Sequence, residues 1–109
     1  MTISIDQFQE ADIRLGKVTA CEKVEDTDKL LRLEVYFGDE TGVRQIISGI
    51  APYVSPEEMI GKIFLFIVNL EPRTIRGLES NGMLLAVGDG DAFSFLAPTG
   101  NAAPGSRVR

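Results

Sequence analysis

Apolar and polar positions alternate most regularly at Leu31, Leu33, Val35 and Phe37, with Arg32, Glu34 and Tyr36 between them. Successive strand side chains point to opposite faces, so this spacing predicts a strand with one buried and one wet face. After Gly38–Gly42, a glycine-containing turn, Val43–Ser48 resumes the pattern, and the two segments read as an antiparallel hairpin. Upstream, Asp12–Cys21 also alternates, with Ile13 and Leu15 before Gly16 and Val18 and Ala20 after it. The phase changes at Gly16, which predicts a bulge or a sharp coil of the strand there. Ile63–Val68 is apolar throughout. It is too short for an independent helix, and its Ile, Phe and Val content predicts a strand buried on both faces. Met83–Val87 and Phe93–Leu96 read as further strands, separated by the turn Gly88-Asp89-Gly90-Asp91.

Helical pattern is scarce. Ser4–Ala11 predicts one short helix, capped by Ser4 or Asp6, with Ile5 and Phe8 on one face to plug an end of the fold. Ser55-Pro56-Glu57-Glu58 is a helix start, with a cap, proline at the first helical position and acids in the first turn. Met59 and Ile60 are expected to tuck this turn onto the core before Gly61 stops it. Pro98–Gly105 is rich in Ala, Pro, Gly and Asn and suits a loose linker or an extended segment packing on a partner. No long helix alternates with the strands, which argues against a parallel α/β sheet. About five short, glycine-punctuated strands predict an all-β fold: a five-stranded oligonucleotide/oligosaccharide-binding (OB) barrel with a short N-terminal helix and a helical turn before the fourth strand. A length of 109 residues fits one domain over 1–109, with a core at about 5–96 and a C-terminal extension at 97–109.

Composition narrows the chemistry. Apolar residues make up 44% of the chain, as in a folded globular protein. There is no histidine, so the commonest general base and metal ligand is missing. The single cysteine, Cys21, forms no intrachain disulfide or cysteine zinc site and suits a small packed strand residue. Glu25, Asp26 and Asp28 lack the spacing of a calcium loop and read as a solvated acidic turn, with Lys29 where the chain re-enters a strand. Asp89 and Asp91 flank glycine in a turn, as turn chemistry rather than an acid–base pair. No nucleophile with a base, no metal cluster and no phosphate-cradling glycine loop is visible, so neither an enzyme nor a cofactor is expected. The N-terminus has no signal-peptide pattern, and the longest apolar run falls far short of the roughly 20 residues that span a bilayer. A soluble, cytoplasmic protein is expected. The net charge of −5 opposes a nucleic-acid partner unless a local basic patch stands on an acidic body.

Such a patch is offered by Asn69–Gly82, a polar loop between two strand-like runs. It carries Arg73 and Arg76 around Thr74-Ile75, then Gly77, Ser80, Asn81 and Gly82. Loops held on rigid strands commonly carry binding surfaces. Arginine grips phosphate bidentately, and only Glu71 and Glu79 lie near in sequence as alternative partners. Asn69 also suits a turn cap before Pro72, and Met83, beside Leu84 and Leu85, also suits the core. Gly77 and Gly82 read as backbone requirements.

Five ordered motifs resemble the tRNA-binding domain family: D-I-R-L-G-K-V (Asp12–Val18), D-K-L-L (Asp28–Leu31), Q-I-I-S-G-I (Gln45–Ile50), N-L-E-P-R-T-I-R-G (Asn69–Gly77) and E-S-N-G-M-L-L-A (Glu79–Ala86). That family includes the C-terminal domain of many bacterial methionyl-tRNA synthetases, free-standing tRNA-binding proteins and export-chaperone-like relatives. The resemblance implies an OB fold, for the bacterial members a homodimer whose extra segments close the interface, possible service to methionyl-tRNA synthetase, and binding to the folded outside of tRNA. Residue by residue it implies that Arg14, Lys29, Arg44, Asn69, Arg73, Arg76, Ser80 and Met83 lie on the binding face or its edge. Members often carry lysine where this chain has Glu71 and Thr74, so its loop is less basic. Met1 and a self-contained fold lean toward a free-standing protein. Two functions follow as expectations: a non-catalytic tRNA-binding module, or a chaperone-like, partner-protein-binding OB dimer.

Overall fold

The computed structural model describes all 109 residues. In chain order they form helix α1 (Ile5–Gln9), strands β1 (Ile13–Lys23) and β2 (Leu31–Tyr36), helical turn α2 (Gly38–Thr41), β3 (Val43–Ser48), helical turn α3 (Pro56–Met59) and β4 (Ile63–Ile67). Short strands β5 (Arg73–Ile75), β6 (Leu78–Ser80), β7 (Met83–Leu84), β8 (Ala86–Val87) and β9 (Ser94–Phe95) follow. Five strands make one sheet in the order β3-β2-β1-β4-β7, each neighbour antiparallel. The sheet curls until its edges meet. The Asn81 N–H donates to the Gln45 carbonyl at 2.9 Å, and the Ile47 N–H donates to Ser80 Oγ at 2.9 Å. The result is a nearly closed all-β barrel of the expected OB type.

The barrel follows from the hydrophobic pattern. In β2 every second residue is buried, and Leu31, Leu33 and Val35 have no exposed surface. They meet Val18, Ile46, Phe64, Phe66, Met59 and Leu84 in one core, where Phe37 packs edge-on against Phe66 with centroids 5.4 Å apart. Each large side chain taken from water contributes roughly 1.5–3 kcal/mol. Gly16 is needed for space. A Cβ there would lie 2.5 Å from both Phe37 and Val35 side-chain carbons. The expected bulge falls elsewhere: the β1–β2 register slips between Val18 and Ala20, not at Gly16. β1 changes neighbours along its length, pairing with β4 from Ile13 to Lys17 and with β2 from Lys17 onward.

Four other expectations are revised. β1 runs on to Lys23, so the acidic loop is shorter than the polar run suggested. α1 is capped by Ser4, whose Oγ accepts from the Gln7 N–H, but it does not plug the barrel: Ile5 is 68% exposed and no α1 residue is buried. Met59 is buried while its neighbour Ile60 stays exposed, because the chain leaves the helical turn at that residue. β4 is buried on one face only, with Phe64, Phe66 and Val68 inside and Ile63, Leu65 and Ile67 half-buried.

The tail is not a loose linker; it packs along β1 of its own barrel. The Gly105 N–H donates to the Leu15 carbonyl at 2.8 Å, the Leu15 N–H to the Ser106 carbonyl at 3.0 Å, and the Val108 N–H to the Ile13 carbonyl at 2.7 Å. β2 has left that part of β1, so the tail satisfies backbone groups that would form an open edge. At the other end, Tyr53 stacks on Phe93, Phe93 meets Phe95, and Phe95 meets Phe64, which fastens the β8–β9 hairpin to β4. No helix is long and apolar enough to cross a membrane.

Candidate nucleic-acid interface

The stretch read as a polar loop is a β-hairpin. β5 and β6 pair with Arg73 opposite Ser80, Thr74 opposite Glu79 and Ile75 opposite Leu78. Arg76 (φ 52°) and Gly77 (φ 79°) make the two-residue turn, both left-handed. Two left-handed central residues match the twist of a tight hairpin. Glycine takes this conformation freely, whereas a side-chain-bearing residue loses about 1–2 kcal/mol. Asparagine or aspartate would be the less costly first residue of such a turn, yet arginine stands there.

The hairpin leans over the wet face of β2 and β3. Ile75 and Leu78 are half-buried beneath it, and Gln45 Nε2 donates to the Glu79 carbonyl at 2.9 Å. Arg32, Gln45, Arg76 and Leu78 line a cleft with Glu22 and Asp26 of the β1–β2 region. This is the quarter, between the second and third strands and two flanking loops, where OB barrels bind oligonucleotides. Arg32 already has carboxylate partners. Its Nε donates to Glu22 Oε1 at 2.7 Å and its Nη1 lies 3.6 Å from Glu34 Oε1, which pushes its pKa above the ordinary guanidinium value. Arg73 and Arg76 are exposed and make neither an ion pair nor a side-chain hydrogen bond. Their whole donor sets face water.

The other expected residues divide by what their polar atoms do. Arg44 is half-buried and donates one N–H to the Val68 carbonyl. With Asn69 it lines a second groove, on the other side of Gln45. Asn69 is exposed, but its amide is a clamp: Oδ1 accepts from the Asp12 N–H at 2.8 Å and Nδ2 donates to the Glu10 carbonyl at 2.6 Å. Lys29 is exposed at the end of the β1–β2 loop. Met83 is 41% exposed, so it is not a core residue. Ser80 is 1% exposed; its Oγ accepts from Ile47 and donates to the Gly82 carbonyl at 3.3 Å inside the barrel seam. Arg14 lies at the far end of β1. Its Nε and Nη2 donate to the two Asp12 carboxylate oxygens at 2.8 and 3.2 Å, and Nη1 donates to the Gly105 carbonyl at 3.4 Å. The hydrogen bonds it donates to Asp12 raise its pKa. The structure therefore gathers Arg73 and Arg76 on one hairpin and Arg44 and Asn69 beside it, while Arg14 belongs to the tail junction.

Sequence reasoning passed over Arg32 and Gln45 as residues of this face. Their signal is their place on the polar side of the alternating β2–β3 hairpin, under the loop that carries Arg73 and Arg76. Cys21 is no nucleophile: burial, with the nearby Glu57 charge, pushes its thiol up to about 11, so it is neutral at pH 7. No three metal-ligating side chains come together.

A nearly closed OB barrel with unpaired arginines on the hairpin over its second and third strands defines a class: a nucleic-acid-binding OB module. The chain belongs within that class to the tRNA-binding domain family, whose model, described as "Putative tRNA binding domain", matches residues 13–107. It is 46% identical over 109 residues to the methionine–tRNA ligase of Chloroherpeton thalassium, covering 99% of this chain and 15% of the ligase. The chain thus spans less than a sixth of that relative, and it resembles the C-terminal domain of such synthetases. In structure it is similar to a MetRS-related protein from Pyrococcus horikoshii, with TM-score 0.91 and 35% identity, covering 100% of this chain and 99% of that one. It is similar also to the chaperone CsaA of Bacillus anthracis, with TM-score 0.87 and 27% identity over the whole of both chains.

Proposed function

We propose that this chain is a non-catalytic module that binds tRNA through its sugar–phosphate backbone and shape, acting in the cytoplasm beside or as part of a methionyl-tRNA synthetase. The observation that carries this reading is the β5–β6 hairpin, with Arg73 exposed and Arg76 at its tip, both without a carboxylate partner. Arginine in a left-handed turn trades local stability for an outward guanidinium, the kind of strain found at functional sites. Arg44, Lys29 and Met83 extend the face, while Ser80 and Asn69 act by holding the hairpin and its entry in place. Arg14 serves the tail junction in this reading.

The protein acts as a homodimer in this proposal, joined through its terminal segments. Met1, Ile3 and Ile5 are exposed apolar residues at the N-terminus, and the terminal segments also form a groove lined by Phe8, Ala11 and Val108 with Gln9, Arg107 and Arg109. Apolar surface of this kind is buried at subunit interfaces. The same surface favours a second reading, in which the dimer binds partner proteins, as the similarity to a chaperone suggests.

Titration of labelled bulk tRNA at low and moderate salt separates the two. Phosphate contacts release counterions, so tRNA affinity is expected to be high at low salt and to fall steeply. Absence of binding at low salt would overturn the tRNA reading and leave the partner-protein one.

A further inference from the structure

We propose that the groove between β3 and the β4–β5 connection holds one unpaired guanine base of the bound RNA. This rests on the tRNA-binding reading and adds a base-reading site to a backbone-gripping surface. The groove holds about 690 Å³ and is open to water. Its lining includes Val43, Leu70 and Pro72, with Val43 57% and Leu70 41% exposed, apolar surface against which a base could stack. Its polar lining is Arg44, Glu71 and Asn81, with Thr41, Gln45 and Asn69.

The first three of these polar groups are largely unused. The backbone N–H of Asn81 closes the barrel on Gln45, but its half-buried side-chain amide makes no hydrogen bond. Glu71 is exposed and has no cation partner. Arg44 commits one N–H to Val68 and keeps its other donors. A phosphate cradle would gain nothing from the Glu71 carboxylate, which repels an anion. A base edge carries donors and acceptors together, and a carboxylate, an amide and a guanidinium match that mixture.

Guanine is the base that fits. Its N1–H and N2–H₂ are adjacent donors, and a carboxylate accepts from both at once. Its O6 then takes a hydrogen bond from the Asn81 amide or Arg44. Adenine, cytosine and uracil each present a single donor group on that edge, so Glu71 makes only half the pairing. Unstacked bases are read in this way, on the pairing edge with one face against the protein. The groove adjoins the arginine hairpin through Gln45, which lines both clefts and donates to the Glu79 carbonyl.

The test uses the full chain and three labelled nonanucleotides, U4GU4, U4AU4 and U9, with bulk tRNA as reference. The guanine oligomer is expected to bind about tenfold tighter than the others, the scale of a good bidentate base contact. Inosine in place of guanine, lacking the 2-amino group, should lose most of that preference. Asn81→Ala and Glu71→Gln should each remove most of it without changing the salt slope, because neither touches phosphate. Glu71 is exposed, so its variant carries the test even if Asn81→Ala fails to fold. Equal binding of the three oligomers, or a preference that survives Glu71→Gln, overturns the base site; salt-sensitive tRNA binding alongside it leaves the tRNA reading standing. Absence of tRNA binding overturns both.

Discussion

Arginines occupy two distinct regions of the barrel and live in different surroundings. At the tail junction, Arg14 gives two donors to Asp12, and the Arg107 Nε lies 3.6 Å from the same carboxylate while its Nη2 donates to the Gln9 carbonyl at 2.7 Å. On the hairpin, Arg73 and Arg76 have no such partner. The first pair ties the N-terminal helix, β1 and the tail together; the second offers its charge to something outside. The residue type is the same, and the carboxylate within reach decides between cohesion and recognition. The contrast also bears on the net charge. In a chain at −5, Asp12 and Glu22 are already paired with arginines, whereas Glu71 and Glu79 stand exposed and unpaired beside Arg73 and Arg76.

The comparison breaks first if the hairpin arginines are removed. Arg73→Ala with Arg76→Ala should lower tRNA affinity by about a hundredfold at low salt, taking roughly 1.5 kcal/mol per charged hydrogen-bonded contact. The slope of log affinity against log salt should flatten by roughly 1.4 to 1.8, about 0.7–0.9 per lost phosphate contact. A urea melt should not move, since both side chains are exposed and unpaired. An unchanged salt slope would place the contact surface elsewhere.

Ser80→Ala is next, and it should act on folding rather than on phosphate. It leaves the buried Ile47 N–H without its acceptor, a loss of roughly 1–3 kcal/mol in denaturant unfolding. The folded fraction should keep the wild-type salt slope. A flattened slope with normal stability would return Ser80 to the contact surface.

Asp12→Ala tests the other region. It removes the carboxylate shared by Arg14 and Arg107, partly exposed groups whose ion pairs contribute about 1 kcal/mol or less. Freed of Asp12, the two arginines should add a weak, salt-sensitive RNA affinity that the wild type lacks at that end. The readout is tRNA titration in the background of the doubly substituted hairpin.

Arg76→Asn sharpens the contrast by separating stability from binding. Asparagine suits the left-handed turn position better, so the melting midpoint should rise, by the equivalent of roughly 0.5–1 kcal/mol, while tRNA affinity falls. A variant that loses stability would show that the arginine side chain was holding the hairpin.

The smallest effect belongs to neither region. The Glu58 carboxyl sits below its usual range because the Ser55 backbone N–H, and then the Ser55 hydroxyl, donate to it. A depressed folded pKa stabilises above the ordinary carboxylate pKa, and that contribution is lost as pH falls through the folded value. Glu58→Ala should therefore destabilise slightly at pH 7, and in melts the gap to wild type should narrow progressively as pH falls below the ordinary carboxylate range, with tRNA binding untouched.

Much of the barrel was legible beforehand for a simple reason. Strand side chains repeat every two residues, so Leu31–Tyr36 announces its own buried face, and Ser55-Pro56-Glu57-Glu58 announces a helical turn through local capping. The hairpin was harder to see. Arg76-Gly77 lacks the asparagine that usually marks a two-residue turn, and its strands have only three residues each.

What the amino-acid order determined by itself was therefore whatever neighbours in sequence decide: strand phase, caps, turns, the absence of histidine and the presence of Arg73 and Arg76 in one short stretch. Tertiary structure decided which polar groups were already taken. Asn69 meets Asp12 across 57 residues, and Arg14 meets Gly105 across 91. Partners that far apart come together only when the barrel closes, and a guanidinium or amide is free to bind RNA only if closure leaves it without one.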